Sequence, residues 1–522
     1  MNTLLFPALQ SRIRKSKNIQ DVLSAFSSNR FPLELEGADG SFASILIAEL
    51  AAKAQGPILV VCPTEQEAEA VANDLASAGQ NPDLFPWWGT IPYRDLAPAS
   101  ATFGERSRIL SQLCSGYMPL LVCSERAFLT PLPPPEYVKP LLKTLRPGQK
   151  IDTVQLSDTL TSFGYTRVPK VQVHGEFALR GEVLDILMAG DTDAYRILFD
   201  FDRIESIKRF NPEDQSGLER VNELILRPLK EVLWTEERIT TLQHNLLQFD
   251  EFKDARLDFL ETLENRKAFS GEELFYSLAF ERQATLLEYL PETATVVFVD
   301  KERLENAQES LEREYEGLYR KARRERPVPA PHRILLHFKS LALASQRRIS
   351  FQTIKGSGES GATRLILSCD PPRSFFGNIT YLKEEFANLI KNGWQIVVSA
   401  ESESQAQRLG ELLKELPISV IVLPLATGFA LPDIKLMVVQ ENEIFGRRKR
   451  IPRSLKHARS AAIDTFVELN PGDYVVHVNY GIGLFKGIER IKALGNERDY
   501  IKLEYADEEY VFVPIEQVNL VQ

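Results

Sequence analysis

Between residues 31 and 128, short apolar runs alternate with amphipathic stretches, and this alternation constrains the fold more than any other feature of the chain. FPLELEG (31–37) and PILVVCP (57–63) read as strands, and SFASILIAELAAKAQ (41–55) and EQEAEAVANDLASAG (65–79) read as helices. Strands separated by helices of this length pair in parallel, with the helices covering the sheet. LFPWWGTIPYRD (84–95) is too aromatic and proline-rich for a helix. ERSRILSQL (105–113) and LLVCS (120–124) resume the pattern, and the TPLPPP run (130–135) ends the block.

The chain has 522 residues, which at roughly 100–200 residues per domain implies about three to five folding units. From about 140 to 215 the pattern changes to short alternating segments with turn residues, the mark of a small antiparallel β domain. Residues 220–300 turn helical again and end on TVVFVD (295–300), so the chain returns to its first α/β domain and the β piece is an insertion. The expected layout is residues 1–135 and 216–330 for the first domain, 136–215 for the insertion and 331–455 for a second α/β domain. The basic stretch RRKRIPRSLKHAR (447–459) leads into a linker set at 456–467, which reads as a solvated hinge or a local nucleic-acid contact. The last unit, 468–522, has several short strands and Gly- and Asp-containing turns, as in a small SH3-like barrel.

Charge and cysteine content narrow the function. With 62 Lys+Arg against 72 Asp+Glu the net charge is −10, which argues against a surface that binds nucleic acid by broad phosphate neutralisation. Cys62, Cys114, Cys123 and Cys369 form no CxxC pair, so buried thiols in a reducing compartment are expected and a metal site is not. No run of 18 apolar residues and no signal-peptide h-region occur in the sequence, and a cytoplasmic protein without a membrane partner is expected.

Gly37-Ala38-Asp39-Gly40-Ser41-Phe42-Ala43-Ser44 sits between a strand and a helix, where a phosphate-binding loop would sit. A working G-x4-G-K-[ST] loop needs glycine for close backbone approach, lysine for the β- and γ-phosphates and Ser/Thr for Mg²⁺. Phe42 stands in the last glycine position and Ala43 in the lysine position, with Ser44 alone retained. Gly37 and Gly40 fit either a plain strand-to-helix turn or a degenerate nucleotide site, and neither makes an ATPase. Asp300, at the end of VVFVD, is the nearest candidate Mg²⁺ ligand and reads more simply as a helix cap.

Two further constellations bear on binding. Arg167 and Arg180 flank a strand pair with Gly175-Glu176-Phe177 between them, which suits either a protein interface or ordinary exposed arginines. The last unit offers His477 and Tyr480 in a structural rather than catalytic setting, and a strand through Ile488–Ile491 suited to adding onto a partner's sheet.

Four segments in order carry a resemblance across the whole chain. FPWWGTIPYRDLAP (85–98) followed by ERSRIL, YTRVPKVQVHGEFALRGEVLDIL (165–187), KLMVVQENEIFGRR (435–448), and NPGDYVVHVNYGIGLFKGI (470–488) with DYIKLEYADEEYVFVPIEQVNLV (499–521) resemble the N-terminal half of the bacterial transcription-repair coupling factors, the Mfd family. The resemblance implies a multi-domain α/β chain: a UvrB-like degenerate P-loop domain with an inserted small β domain, a second α/β domain and a C-terminal SH3/Tudor-like β barrel of the CarD type. It implies that the module at Gly37, Gly40, Phe42, Ala43 and Ser44 has lost nucleotide binding. Arg167, Phe177 and Arg180 would meet UvrA, although a third arginine of the UvrB motif is Ala178 here. Ile488, Arg490 and Ile491 would meet the RNA polymerase β subunit.

The family continues into an ATP- and Mg-dependent double-stranded DNA translocase. This sequence, up to Gln522, shows neither a GKT loop nor a DExx box, so it is expected to be the adaptor part of a longer protein, with no catalytic residue, cofactor or metal of its own and with DNA gripped mainly by the motor. The alternatives are a UvrB-like DNA-dependent ATPase, which Ala43 opposes, and a CarD-like transcription regulator.

Overall fold

The computed structural model describes residues 5–445 except 39, 94–99, 118, 213–215, 249–251, 253–257, 266–268, 270, 353–360, 372–374 and 376, together with 474–514 except 478–480, 494–495 and 506–508. The basic stretch 447–459 and the linker 456–467 lie outside the described residues. Two units are distinguished, one from segments 1–96, 112–137 and 234–451, the other from 97–111, 138–233 and 452–522.

In chain order the strands are β1 (Leu33–Glu36), β2 (Ile58–Cys62), β3 (Pro82–Phe85), β4 (Leu120–Ser124), β5 (Lys143–Leu145), β6 (Thr166–Arg167), β7 (Glu176–Arg180), β8 (Val183–Leu187), β9 (Ala194–Asp200), β10 (Arg203–Phe210), β11 (Gly217–Val221) and β12 (Leu224–Leu226). They continue with β13 (Thr295–Phe298), β14 (Arg348–Gln352), β15 (Thr363–Ile366), β16 (Gln395–Ala400), β17 (Ser419–Val422), β18 (Phe429–Leu431), β19 (Leu436–Gln440), β20 (Tyr474–His477), β21 (Gly481–Ala493), β22 (Asn496–Glu504) and β23 (Tyr510–Pro514).

The first unit holds a seven-stranded sheet of order β15-β1-β14-β13-β2-β4-β3, parallel throughout. Every residue of β1, β2 and β13 is buried, as expected where helices cover both faces of a parallel sheet. The helix Ser41–Ala51 has no polar face and is buried from Ser41 to Leu50. Thr64 caps the helix Glu65–Ser77 by accepting from the Glu67 amide, and Asp300 caps Lys301–Ala322 by accepting from the Arg303 amide at 3.2 Å, the capping role read from its place after a strand.

A second, four-stranded sheet of the same unit runs β17-β16-β19-β18, parallel except for β18. Val397, Ile421, Leu425, Phe429 and Val438 from this region share one apolar core with Leu33, Phe42 and Leu46 of the first. The segment RLILSCD (364–370), grouped by its sequence with the domain at 331–455, supplies β15 to the edge of the seven-stranded sheet, where Leu33 pairs with Thr363. Local periodicity marks such a run as a strand without saying which sheet has the open edge.

In the other unit, six strands run β11-β10-β9-β8-β7-β6, antiparallel except for the short β6–β7 pair, and β12 pairs with β5. This β region continues past residue 215, since β11 and β12 belong to it. Its main core contains Leu160, Phe163, Phe177, Leu184, Ile186 and Ile197. The C-terminal segment forms a four-stranded antiparallel sheet, β20-β21-β22-β23, around Val475, Phe485, Ile501, Leu503 and Val513.

Candidate functional site

The places predicted from sequence are the glycine turn at 37–44, the arginine strands and the last sheet.

At the glycine turn, both glycines are required by geometry. Gly37 has φ +79°, and a Cβ there would lie 2.5 Å from the Leu367 carbonyl oxygen. Gly40 has φ +54°, and a Cβ there would lie 2.1 Å from Thr427 Oγ1. Thr427 occupies the N-terminus of the helix: it accepts from the Ser41 amide at 3.1 Å, while its own amide donates to Ser41 Oγ at 2.9 Å. Phe42 stacks on Phe429 with ring centroids 5.5 Å apart, and Ala43 and Ser44 are buried. The Thr427 loop is fixed on both sides, because the Ala426 amide donates to Asp74 Oδ1 at 2.7 Å and the Gly428 amide to Glu443 Oε1 at 2.7 Å. The Ser41 amide at the start of the helix is thus directed at a threonine, and Phe42 is taken up by an aromatic pair. Sequence reading missed Thr427, which lies 386 positions from Ser41 and carries no local signal.

Near the same sheet, Glu125 follows β4 and is buried, with neither carboxyl oxygen hydrogen-bonded. Burial pushes its carboxyl up to about 8, with neighbouring Glu65 adding to the shift and Arg126 opposing it.

In the six-stranded sheet the alternation of strand faces sorts the predicted residues. Phe177 is 0% exposed in the main core, so the expectation that it meets a partner is corrected: its side chain holds the sheet together and offers no surface. Ala178, on the opposite face, is buried with Leu187, Ala194 and Phe210. Arg167 is exposed on β6 and donates to the Leu179 carbonyl at 3.3 Å. The Arg180 side chain is 52% exposed and donates to Asp185 Oδ2 at 2.9 Å.

Asp185 organises this face. It pairs across the sheet with Ala178 and with Arg196, and Arg196 grips it with two hydrogen bonds of 2.7 and 2.9 Å while lying over the Phe210 ring at 4.8 Å. The hydrogen bond to Asp185 raises the Arg196 guanidinium above its ordinary value. One buried carboxylate therefore holds two arginines, and Arg180 is the more exposed of them. The signal for Asp185 was present in the sequence as a single acidic residue inside an apolar strand.

Other buried groups fix the sheet's surroundings. Glu176 Oε2 accepts from the amides of Gln172 and Val173 at 2.9 and 3.0 Å, which shapes the loop between β6 and β7. Arg227 binds Asp191 at 2.8 Å, and Arg106 forms a fully buried ion pair with Glu231. Burial outweighs the Arg106 partner and leaves the Glu231 carboxyl above its ordinary value.

In the last sheet, Ile488, Arg490 and Ile491 lie on β21 with their backbones opposite Ile501, Asp499 and Arg498 of β22, and their side chains lie outside the described residues, as do that of His477 and all of Tyr480. Among the described residues, β20 pairs with β21 over Gly481–Leu484. From Phe485 to Ala493, no strand among the described residues pairs with the opposite edge of β21. Tyr474 and Ile482 are strongly exposed, and Lys502 Nζ lies 4.7 Å over the Tyr510 ring.

Among the described residues, no cluster of three or more His, Cys, Asp or Glu could hold a metal, and no helix is long and apolar enough to cross a membrane.

The arrangement defines a multi-domain α/β protein whose exposed chemistry lies on two β modules. Residues 144–231 match the family described as the UvrB interaction domain, and residues 469–522 match the CarD-like/TRCF RID domain. Over 98% of its length the chain is 31% identical to a transcription-repair-coupling factor of Borreliella burgdorferi and 25% identical to one of Bacillus subtilis, and over 93% it is 27% identical to one of Staphylococcus epidermidis. It covers 45%, 47% and 44% of these relatives, so it spans less than half of their length. Its family is that of the transcription-repair-coupling factors, to whose N-terminal half it corresponds.

Proposed function

We propose that this chain is a non-catalytic adaptor that joins stalled RNA polymerase to the first component of nucleotide excision repair. In this reading the six-stranded sheet recruits UvrA through Arg167 and Arg180, and the last sheet, part of an SH3/Tudor-like barrel, pairs with the polymerase β subunit along β21. Grip on double-stranded DNA, with ATP and Mg²⁺, belongs to a motor outside these residues. The setting is cytoplasmic.

The observation that carries the UvrA reading is the asymmetry around Asp185. Arg196 alone makes two hydrogen bonds to it, so Arg180 is not needed to neutralise the buried carboxylate and its exposed guanidinium is available to an acidic partner. The test is binding of purified UvrA to the Arg167→Ala plus Arg180→Ala double variant. A large loss of affinity with unchanged melting is expected; undiminished binding sinks the assignment. For the last sheet, the support is that, among the described residues, no strand pairs with β21 beyond Leu484 on the edge opposite β22. Ile491→Arg should abolish capture of RNA polymerase while leaving the chain folded, and normal capture removes β21 from the reading.

The reading includes no nucleotide site at 37–44, and the support is the Thr427 contact together with Ala43 in the lysine position. Calorimetric titration with ATP tests this, and micromolar affinity would favour a UvrB-like ATPase instead.

A further inference from the structure

The six-stranded sheet carries an exposed aromatic residue that its fold does not need. Phe201 occupies the tip of the β9–β10 turn with φ +53°, and it is 85% exposed. A left-handed backbone favours Gly, Asn or Asp over a bulky residue, and an apolar ring in water gains nothing from folding.

The tip is also braced. The Ile151 amide donates to the Asp202 carbonyl at 2.7 Å and the Ile204 amide to the Gln149 carbonyl at 2.9 Å, while Lys150 Nζ and Asp202 Oδ2 pair at 2.7 Å. A second turn, Gly181-Glu182, follows Arg180 at the same end of the sheet, and the Phe199 amide donates to the Glu182 carbonyl at 2.9 Å. Phe201 and Arg180 therefore belong to neighbouring turns that are hydrogen-bonded into one end of the sheet.

A rigid, exposed aromatic near an exposed arginine is the composition of a protein-interface anchor, since little ordering is left to be done on binding. Phosphate-rich partners fit poorly: Asp200 and Asp202 flank the ring in sequence, and Glu182 stands on the adjoining turn, all exposed.

We propose that Phe201 is an apolar anchor of the docking surface on this sheet, seating in an apolar pocket of a protein partner while Arg180 engages an acidic group. The proposal rests on the reading of this sheet as the UvrA-docking surface, and it adds a residue outside the arginine motif.

The test compares Phe201→Asn with the parent chain for binding to immobilised, purified UvrA. Asparagine suits the left-handed turn, so the melting temperature should be equal or higher, while the dissociation constant should rise at least ten-fold; Phe201→Gly should repeat both effects. Unchanged affinity in a folded Phe201→Asn chain overturns the proposal, as does a loss confined to anionic vesicles or duplex DNA used as control probes. The Arg167→Ala plus Arg180→Ala variant is run alongside. If it loses UvrA while Phe201→Asn keeps it, the anchor is wrong and the docking surface stands. If the parent chain itself fails to bind UvrA, both fall together.

Discussion

The glycine turn at 37–44 and the arginine face around Asp185 are each built from a tight turn, a few polar groups and an aromatic ring, yet their polar groups are used differently. At the first, the polar groups find their partners inside the same unit: the Ser41 amide and hydroxyl both bond Thr427, and Phe42 is stacked on Phe429. At the second, buried Asp185 takes two hydrogen bonds from Arg196 and one from Arg180, whose side chain stays half in water. A strand-to-helix turn becomes a joint between two sheets when its donors are satisfied internally. A strand face becomes a docking candidate when the internal partner is already taken.

The contrast can be broken or sharpened by mutation, starting from the largest effect. Phe42→Ala removes a buried ring from the closed site and should cost about 3–5 kcal/mol in urea unfolding. A cost below about 1 kcal/mol would show that Phe42 is not part of a packed joint.

Glu125, on the closed side, gives a pH test. Its folded carboxyl titrates at about 8, well above the ordinary unfolded value, so the folded state binds the extra proton and stability is lost as pH rises from about 4.5 through 8. Glu125→Gln should stabilise the chain at pH 8.5, on the order of a few kcal/mol by the linkage of one proton across such a shift, and the gain should vanish at pH 4.5. A pH-independent difference in melting temperature would contradict it.

On the open side, Asp185→Ala leaves Arg180 and Arg196 without their shared carboxylate and should destabilise by about 1.5–3 kcal/mol. Thr427→Val, which keeps shape and deletes the hydroxyl acceptor of the Ser41 amide, should cost about 1–2 kcal/mol in the same assay. Arg180→Ala should change stability least, by under about 1 kcal/mol, because its ion pair is half exposed. If Arg180→Ala proved as costly as Asp185→Ala, the face would be a structural cluster and not a docking surface.

Much of this was legible in the chain. The alternation at 31–128 predicts a parallel sheet, and the short alternating runs after residue 140 predict a separate β module, because each pattern reflects which side of a local element meets water. Phe42 and Ala43 stand where a phosphate loop carries glycine and lysine. Arg167 and Arg180 are exposed, whereas Phe177 between them is buried, since strand alternation puts it on the face opposite Ala178 and only the packed sheet shows which face is the core.

The sequence by itself determined the kinds of element, their order and the absence of a lysine at position 43, all properties of neighbours along the chain. Only the tertiary structure decided that β15 joins the first sheet, that Thr427 meets Ser41 across 386 positions, and that Asp185 takes two hydrogen bonds from Arg196 and one from Arg180. The reason is physical. Periodicity encodes how one element sits between core and water, while the pairing of distant groups depends on strand order, which is settled only when the apolar faces are buried together.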